Sequence, residues 1–466
     1  MRLSFFAICI VTITLAGCAT FHSKPISAAS NASALEARTL DNPGLHKFME
    51  QNLNGQLPSW PPRSWNFSML TLAALYYSPD LDLARARRQV ALAGKITAGE
   101  RPNPTISVLP GGITNPPRSP WLFSLIVSMP IETAGKRGYR LDVAGHLARA
   151  AGLDMETAAW QVRSRLRASL VDLHFNRESE VVLKRQVEVQ RQLVQMLSVL
   201  LANGEIPRPE LARAQISLDA GRLKLADLQR QIADSRARLA ASLAVPVEAL
   251  HRIKISCRFL KRFPVSPPLR QLRRKALLNR PDILSLLASY EAAQSALQLE
   301  IAKQYPDVNL GPGYSFQDSE NYWTFGPSLT LPVLNQNQGP IAEAKARRRQ
   351  AAAAFTAFQA KVIEQLDRGF AGYQLMRDKL KTAQSLKDWA KAQKDSAGSA
   401  FTEGETSRLA LLEAQLVYYT DLLQDIQASY QAQQALGVLE DALEFPLCQK
   451  QTFHKNVCPA NGENLT

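Results

Sequence analysis

Two proline-free stretches constrain this chain more than any other feature. Residues 131–206 contain no proline, and neither do residues 341–445. Proline lacks an N–H and clashes with the preceding helical turn, so its absence over such lengths permits very long helices. Helices are expected over 137–202 and 341–402, the first extending roughly 100 Å at about 1.5 Å per residue. No compact core needs a helix of that length. Asn203-Gly204 and Glu403-Gly404 then reverse the chain, because glycine tolerates the left-handed conformation that ends a helix. Return helices are expected over 207–244 and 406–444, ending at Pro246 and Pro446.

The long helices carry heptad-like spacing. Leu183, Val187, Gln190, Val194, Leu197 and Leu201 step by four and three, as do Leu211, Ala214, Leu218, Gly221, Leu225, Leu228, Ile232, Ser235 and Leu239. A mean step of 3.5 residues keeps one seam against a neighbouring helix. Glutamine, arginine and alanine fill the other faces, as suits helices laid side by side in a wall wetted on both sides.

The chain is also an internal repeat. At an offset of 202, Pro79-Asp80-Leu81 meets Pro281-Asp282-Ile283, Pro110-Gly111 meets Pro312-Gly313, Trp121 meets Trp323 and Phe123 meets Phe325. The offset then slips to 200, where Leu200–Glu205 meets Ala400–Glu405, Ala214-Gln215 meets Ala414-Gln415 and Pro246 meets Pro446. Each half therefore has one plan: a helix of about twenty residues, a pair of alternating segments, a very long helix and a return helix. Repeat 1 spans 67–246 and repeat 2 spans 281–446, joined by an inter-repeat equatorial segment, 247–280, and followed by a tail, 447–466.

The alternating segments predict one β-hairpin in each half, with strands near 103–112 and 120–130, then 306–316 and 322–332. Polar loops at 113–120 and 317–321 join them. Trp121, Phe123, Leu125, Val127 and Met129 share one face at period two, and so do Trp323, Phe325, Leu329 and Leu331. The opposite faces carry Leu122, Ser124, Ile126 and Ser128, and Tyr322, Thr324, Gly326, Ser328 and Thr330. Strands of about ten residues match a tilted membrane strand with lipid on one side and water on the other. A hairpin pair in a soluble sandwich is the alternative, but nothing else in the chain supplies a second sheet. Four strands cannot close a barrel, and an open edge in lipid is not tolerated, so closure requires further copies.

The N-terminus supplies an address. Arg2 precedes an apolar run, Leu3 to Leu15, too short for a permanent span. Leu15-Ala16-Gly17-Cys18 resembles a bacterial lipobox, in which residues 1–17 are a signal peptide and Cys18 takes a diacylglyceryl anchor; Ala19 in place of aspartate favours the outer membrane. Residues 18–66 then form a lipidated arm, which Pro58, Pro61 and Pro62 suggest is extended. The chain has 466 residues and a net charge of +14. That charge first suggests nucleic acid, but export removes it as a partner.

The lipobox, both hairpins, the turns LANGEIPRPELARAQ and FTEGETSRLALLEAQ and the duplication itself resemble the TolC-type outer-membrane efflux family over about residues 65–446. Pro130-Ile131-Glu132-Thr133-Ala134-Gly135-Lys136-Arg137 is most similar to its heavy-metal cation-efflux branch. The resemblance implies a mixed α and β membrane protein: a homotrimer with a 12-stranded outer-membrane β-barrel, four strands per chain, continued by a long periplasmic α-helical barrel. It implies a passive exit duct in a tripartite efflux system, set in outer-membrane lipid and docked to a periplasmic adaptor and an inner-membrane pump. An outer-membrane duct for type I protein secretion and a non-porous periplasmic coiled-coil lipoprotein scaffold are the alternatives. No enzyme is expected.

By that resemblance, Gly204, Leu211, Ala214 and Gln215, with Gly404, Leu411, Ala414 and Gln415, form the periplasmic tips that meet the adaptor; the alternative is that they only pack the helical hairpins. Glu413 falls where the family places an acid at a tip constriction, with Glu403 and Glu405 as further candidates, while Ala410 replaces a second acid. Lys136, Arg137 and Arg140, then Lys345, Arg347, Arg348 and Arg349, read as solvated helix faces, with headgroup attraction as the alternative. His22, His46, His146, His174, His251 and His454 show no ligand spacing, so no metal or other cofactor is expected. Cys257, Cys448 and Cys458 leave one possible disulfide whose pairing the sequence does not fix.

Overall fold

The computed structural model describes residues 20–53, 59–115 and 118–447. Cys18, Cys448 and Cys458 lie outside them. Two short helices open the described chain, α1 (Ala28–Glu36) and α2 (Pro43–Asn52). The first repeat follows as α3 (Phe67–Tyr77), α4 (Pro79–Gly99), β1 (Thr105–Gly112), β2 (Trp121–Ile131), α5 (Lys136–Ala202) and α6 (Arg208–Leu243). Two 3-10 turns, Val247–Arg252 and Arg258–Lys261, lead to α7 (Leu269–Asn279). The same order then recurs as α8 (Pro281–Ala302), β3 (Val308–Gln317), β4 (Glu320–Leu329), α9 (Gln338–Thr402) and α10 (Arg408–Leu443). No helix among the described residues is long and apolar enough to cross a membrane.

Backbone punctuation recurs in both halves. α5, of 67 residues, ends with Gly204 at φ 77°, and α9, of 65 residues, ends with Gly404 at φ 78°. The Glu205 amide bonds back to the Leu200 carbonyl at 2.9 Å and the Glu405 amide to Ala400 at 2.8 Å, the Schellman closure that satisfies the last helical carbonyls. The return helices end on left-handed Ala244 and Glu444, and the long helices begin after left-handed Gly135 and Asn337. These pairs stand at the offsets of 200 and 202 seen in the sequence.

The helices form a wall one layer thick. Toward the tips the order is α6–α5–α10–α9; toward the strands it is α4–α5–α8–α9. The heptad positions of α6 point at α5: Ala214, Leu218, Gly221, Ile232, Ser235 and Leu239 are buried there. Gln190 sits in this seam and donates to Ser217 Oγ at 2.9 Å. The main apolar core lies at the waist, where α3, α4, α5 and α6 meet around Trp65, Leu70, Leu166, Leu170, Leu239 and Leu243.

The arm departs from expectation. It is not simply extended: α1 and α2 lie within it, and Leu40, Leu45, Met49 and Trp65 are buried in the waist core. Asn42 Oδ1 caps α2 by accepting from the Gly44 amide at 2.7 Å, and Pro43 occupies the first helical position. Leu45 and Met49, one turn apart, then face the core together.

The waist also holds buried charge. Glu440 lies 3.6 Å from Arg163 and 3.4 Å from Arg167, all three side chains almost fully buried. Arg167 also donates to the Gln433 carbonyl at 2.9 Å and to Gln433 Oε1 at 2.8 Å. Trp160 and Ser164 donate to Asp441 at 3.0 and 2.7 Å. These contacts join α5 to α10, so the two halves are fastened by polar geometry as well as by apolar area.

Candidate functional site

The four strands form one antiparallel sheet in the order β1-β2-β3-β4. Its register sorts every side chain. Ile106 pairs with Val127, Val108 with Leu125 and Pro110 with Phe123. Across the next seam Phe123 pairs with Phe316, Leu125 with Tyr314 and Met129 with Leu310. Then Tyr314 pairs with Trp323, Pro312 with Phe325 and Val308 with Leu329. Directly opposed residues share a face, so these side chains make one continuous apolar face. Ser107, Ser124, Ser128, Gly313, Ser315, Thr324 and Ser328 fall on the other, together with Leu109, Leu122, Ile126 and Tyr322. The apolar face is open, with Trp323 at 81%, Phe325 at 73% and Trp121 at 71% exposed. Phe123 and Met129 are also exposed, and Leu125 and Val127 half-buried.

Two details correct the sequence reading. Leu331 lies beyond β4, which ends at Leu329, opposite the first residue of β3. Pro332 follows it and has no N–H for a ladder, so pairing stops before it. The second hairpin is also tighter than the expected loop 317–321. Asp318 and Ser319, at φ 55° and 67°, form a two-residue turn whose twist matches the strands.

The junction between sheet and wall corrects a third expectation. Lys136, Arg137 and Arg140 are not a solvated face. Lys136 is buried and donates to the Tyr305 carbonyl and Asp307 Oδ1, each at 2.6 Å. Arg137 donates to the Gly99 carbonyl at 2.6 Å, and Arg140 to the Ala98 and Glu100 carbonyls at 3.3 Å while pairing with Glu132. Arg137 and Arg140 thus close the negative end of α4, where carbonyls lack helical partners, while Lys136 ties the start of α5 to the entry of β3. Arg347 pairs with Glu343 one turn away, and Lys345 and Arg349 are exposed.

At the tips, Gly204, Gln215 and Gly404 are exposed and Leu211, Leu411 and Gln415 half-buried. Ala214 and Ala414 are buried in the hairpin seams, 9% and 6% exposed. They pack the hairpin seams and offer little outward surface. Glu403, Glu405 and Glu413 are exposed. Ser407 caps α10 by accepting from the Ala410 amide at 3.2 Å.

The wall has a grooved face. A groove of about 900 Å³ crosses all four tip-side helices, lined by Gln190, Lys224, Asp227, Lys379, Gln424 and Gln427 among others. Glu413, Thr420 and Gln427 are seven residues apart, so Glu413 prolongs the groove's α10 stripe toward the tip. Arg213 stands in the matching place on α6, a residue that inspection of acids alone missed. Nearer the waist a second groove of about 520 Å³ continues the same helix faces past Arg165, Arg368, Asp441 and Glu444. Burial, reinforced by nearby Asp282, pushes the Glu444 carboxyl up to about 8 against the opposing pull of Arg280.

A model of the outer membrane efflux protein family matches residues 71–245 and 272–443, on either side of the waist segment. The chain belongs to this family. It is 24% identical over 341 residues to the cobalt-zinc-cadmium resistance protein CzcC of Cupriavidus metallidurans, covering 72% of this chain and 78% of that protein. The fold is that of the outer membrane protein VceC of Vibrio cholerae, with a TM-score of 0.66 at 18% identity, over 82% of this chain and 96% of that one. CusC, solved in connection with transmembrane channel formation, gives 0.64 at 18% identity over 81% and 91%. The chain is thus an outer-membrane efflux duct protein, mostly helical with four antiparallel strands.

Proposed function

We propose that three copies of this chain close a 12-stranded barrel and a helical barrel below it, forming the exit duct of a tripartite efflux system. The observation that carries this reading is the sheet. Its edges, β1 and β4, have no strand neighbour among the described residues, and one face is apolar throughout. Neither survives in lipid unless edges pair with other copies and the apolar face meets acyl chains. Four strands from each of three chains leave a lumen, whereas eight strands in all would be nearly filled by side chains. The wall asks for the same closure. Trp389 on α9 and Ile216 and Leu223 on α6 stand exposed on helices at the wall's two edges. A second copy placing α6 against α9 would cover them.

In this arrangement the grooved face lines the duct and the tips meet a periplasmic adaptor through the exposed tip residues Gly204, Gln215, Gly404 and Glu405. Glu413 and Arg213 would alternate around the tip, so the constriction carries mixed charge and not an acidic ring. Cys18 anchors the chain by lipid. The CzcC relative favours divalent metal cations as cargo, selected by the pump.

The test is mass in detergent together with single-channel conductance in a planar bilayer. Trimers with discrete conductance steps are expected, and Glu413→Ala should alter conductance or cation block. A protein that stays silent as a monomer even with Arg213→Ala and Glu413→Ala opening the tips would leave the scaffold reading in its place.

A further inference from the structure

The chain's positive charge is concentrated in one place. Residues 247–280, between the repeats, hold ten Lys and Arg against the single acid Glu248, a net +9 of the chain's +14. Three of the ten are engaged: Arg273 pairs with Asp367, Arg280 with Asp282 and Glu444, and Lys275 lies over the Phe445 ring. The other seven, Arg252, Lys254, Arg258, Lys261, Arg262, Arg270 and Arg274, are exposed. None of them forms an ion pair with a carboxylate among the described residues. Holding so many like charges together costs stability through mutual repulsion, which folding alone does not require.

The part of this belt around residues 255–261 lies on the side of the wall away from the groove. A notch of about 270 Å³ opens there between α5 and the belt, lined by His174, Arg177, Arg258 and Lys261 over an apolar floor that includes Ile255. Its one acid, Glu178, lies 3.4 Å from His174, whose imidazole is held below the usual histidine range by burial. On α5 the notch residues 174, 177 and 178 fall about half a turn away from the groove residues 176, 179 and 183, at roughly 100° per residue. If the groove lines the duct, this part of the belt faces outward. That orientation is where this inference rests on the proposed function.

The belt is also too far from the membrane to serve lipid. α4 runs 21 residues from the waist toward β1, and a helix of that length spans roughly 30 Å. Headgroup fields fall off within about 8 Å at physiological salt. The cations are spread along the segment, and its exposed apolar residues Val265 and Leu278 stand singly. A protein partner would be expected to meet an apolar centre. Dispersed point charges suit a repeating polyanion held by many weak contacts.

We propose that the belt binds the carboxylate-bearing polymer of the periplasm, the peptide-crosslinked glycan of the cell wall, and fixes the duct at its waist within that mesh. The notch cations Arg177, Arg258 and Lys261 receive single carboxylates.

The test is co-sedimentation of the full-length protein in detergent with isolated insoluble sacculi. Pelleting is expected at about 50 mM salt, with at least about tenfold weaker binding at about 300 mM and with sacculi whose carboxylates are amidated. Arg258→Glu, Lys261→Glu, Arg270→Glu and Arg274→Glu combined should weaken binding at least as much while conductance persists; the four changes to Gln serve if reversal impairs folding. Pelleting unaffected by amidation or by either variant overturns the proposal, as does binding to anionic phospholipid vesicles but not to sacculi. Loss of conductance in the unmodified protein would instead fault the duct reading.

Discussion

Lys136 Nζ and Asp307 Oδ1 meet at 2.6 Å across the base of the sheet, joining the start of α5 to the entry of β3. The lysine is nearly buried and the aspartate partly open. The Asp307 carboxylate also accepts from the Thr133 amide at 3.0 Å. Two hairpins far apart in sequence are thereby held in one register at the point where strands become helices. Asp307→Ala would leave the ammonium with only the Tyr305 carbonyl. We expect a loss of about 2 kcal/mol, read by denaturant unfolding, with Asp307→Asn recovering part of it.

Glu440 sits between Arg163 and Arg167 with almost no solvent access. Removing one partner of such a group leaves uncompensated charge in the interior. Glu440→Ala should cost about 3–5 kcal/mol, whereas changing Glu440 and both arginines together to apolar residues should cost less. A triple variant as unstable as Glu440→Ala would show that packing alone governs this site.

The Glu444 carboxyl is pushed up to about 8 by burial and by Asp282. Its folded pKa exceeds its unfolded value, so its contribution is fully present below the ordinary glutamate range and is lost as pH rises toward 8. Melting temperature should therefore fall between about pH 5 and 8. Glu444→Gln should flatten that slope and leave the variant the more stable protein at pH 8.

The two faces of the sheet should respond differently to charge. Phe325→Arg on the apolar face is expected to reduce assembly by about 2–4 kcal/mol if that position meets the bilayer midplane. Thr324→Arg, one residue away on the other face, should assemble and alter conductance instead. Yield of detergent-stable oligomer separates the two.

Gly204 and Gly404 hold left-handed backbone at the tips, and neither has a neighbour near the space a Cβ would fill. The cost of Gly404→Ala is therefore conformational alone, about 1 kcal/mol. Faster amide exchange is expected at Ala400–Glu405 with little change in global melting.

Much of this molecule is local, and local features are what a sequence carries. Missing prolines and heptad spacing mark the long helices because each residue's helical cost and face depend on its near neighbours. Tip glycines are visible for the same reason. The strands were harder to bound: Leu331 alternates correctly with Leu329, yet the ladder ends where β3 offers no further partner. Leu45 and Met49 carried a helical step in an arm whose prolines drew attention first. Lys136, Arg137 and Arg140 look like any basic helix start, because their acceptors lie on α4 and before β3, far away in sequence.

The sequence by itself determined the long helices and the two hairpins, since periodicity, proline and glycine act over a few residues. Only the tertiary structure decided that β2 pairs with β3, which merges two hairpins into one sheet with a single apolar face. It alone set Arg163, Arg167 and Glu440 together at the waist and turned the notch around residues 255–261 away from the groove. Those facts depend on which distant surfaces meet, and pairing across nearly two hundred residues is fixed by complementary shape and charge, not by local preference.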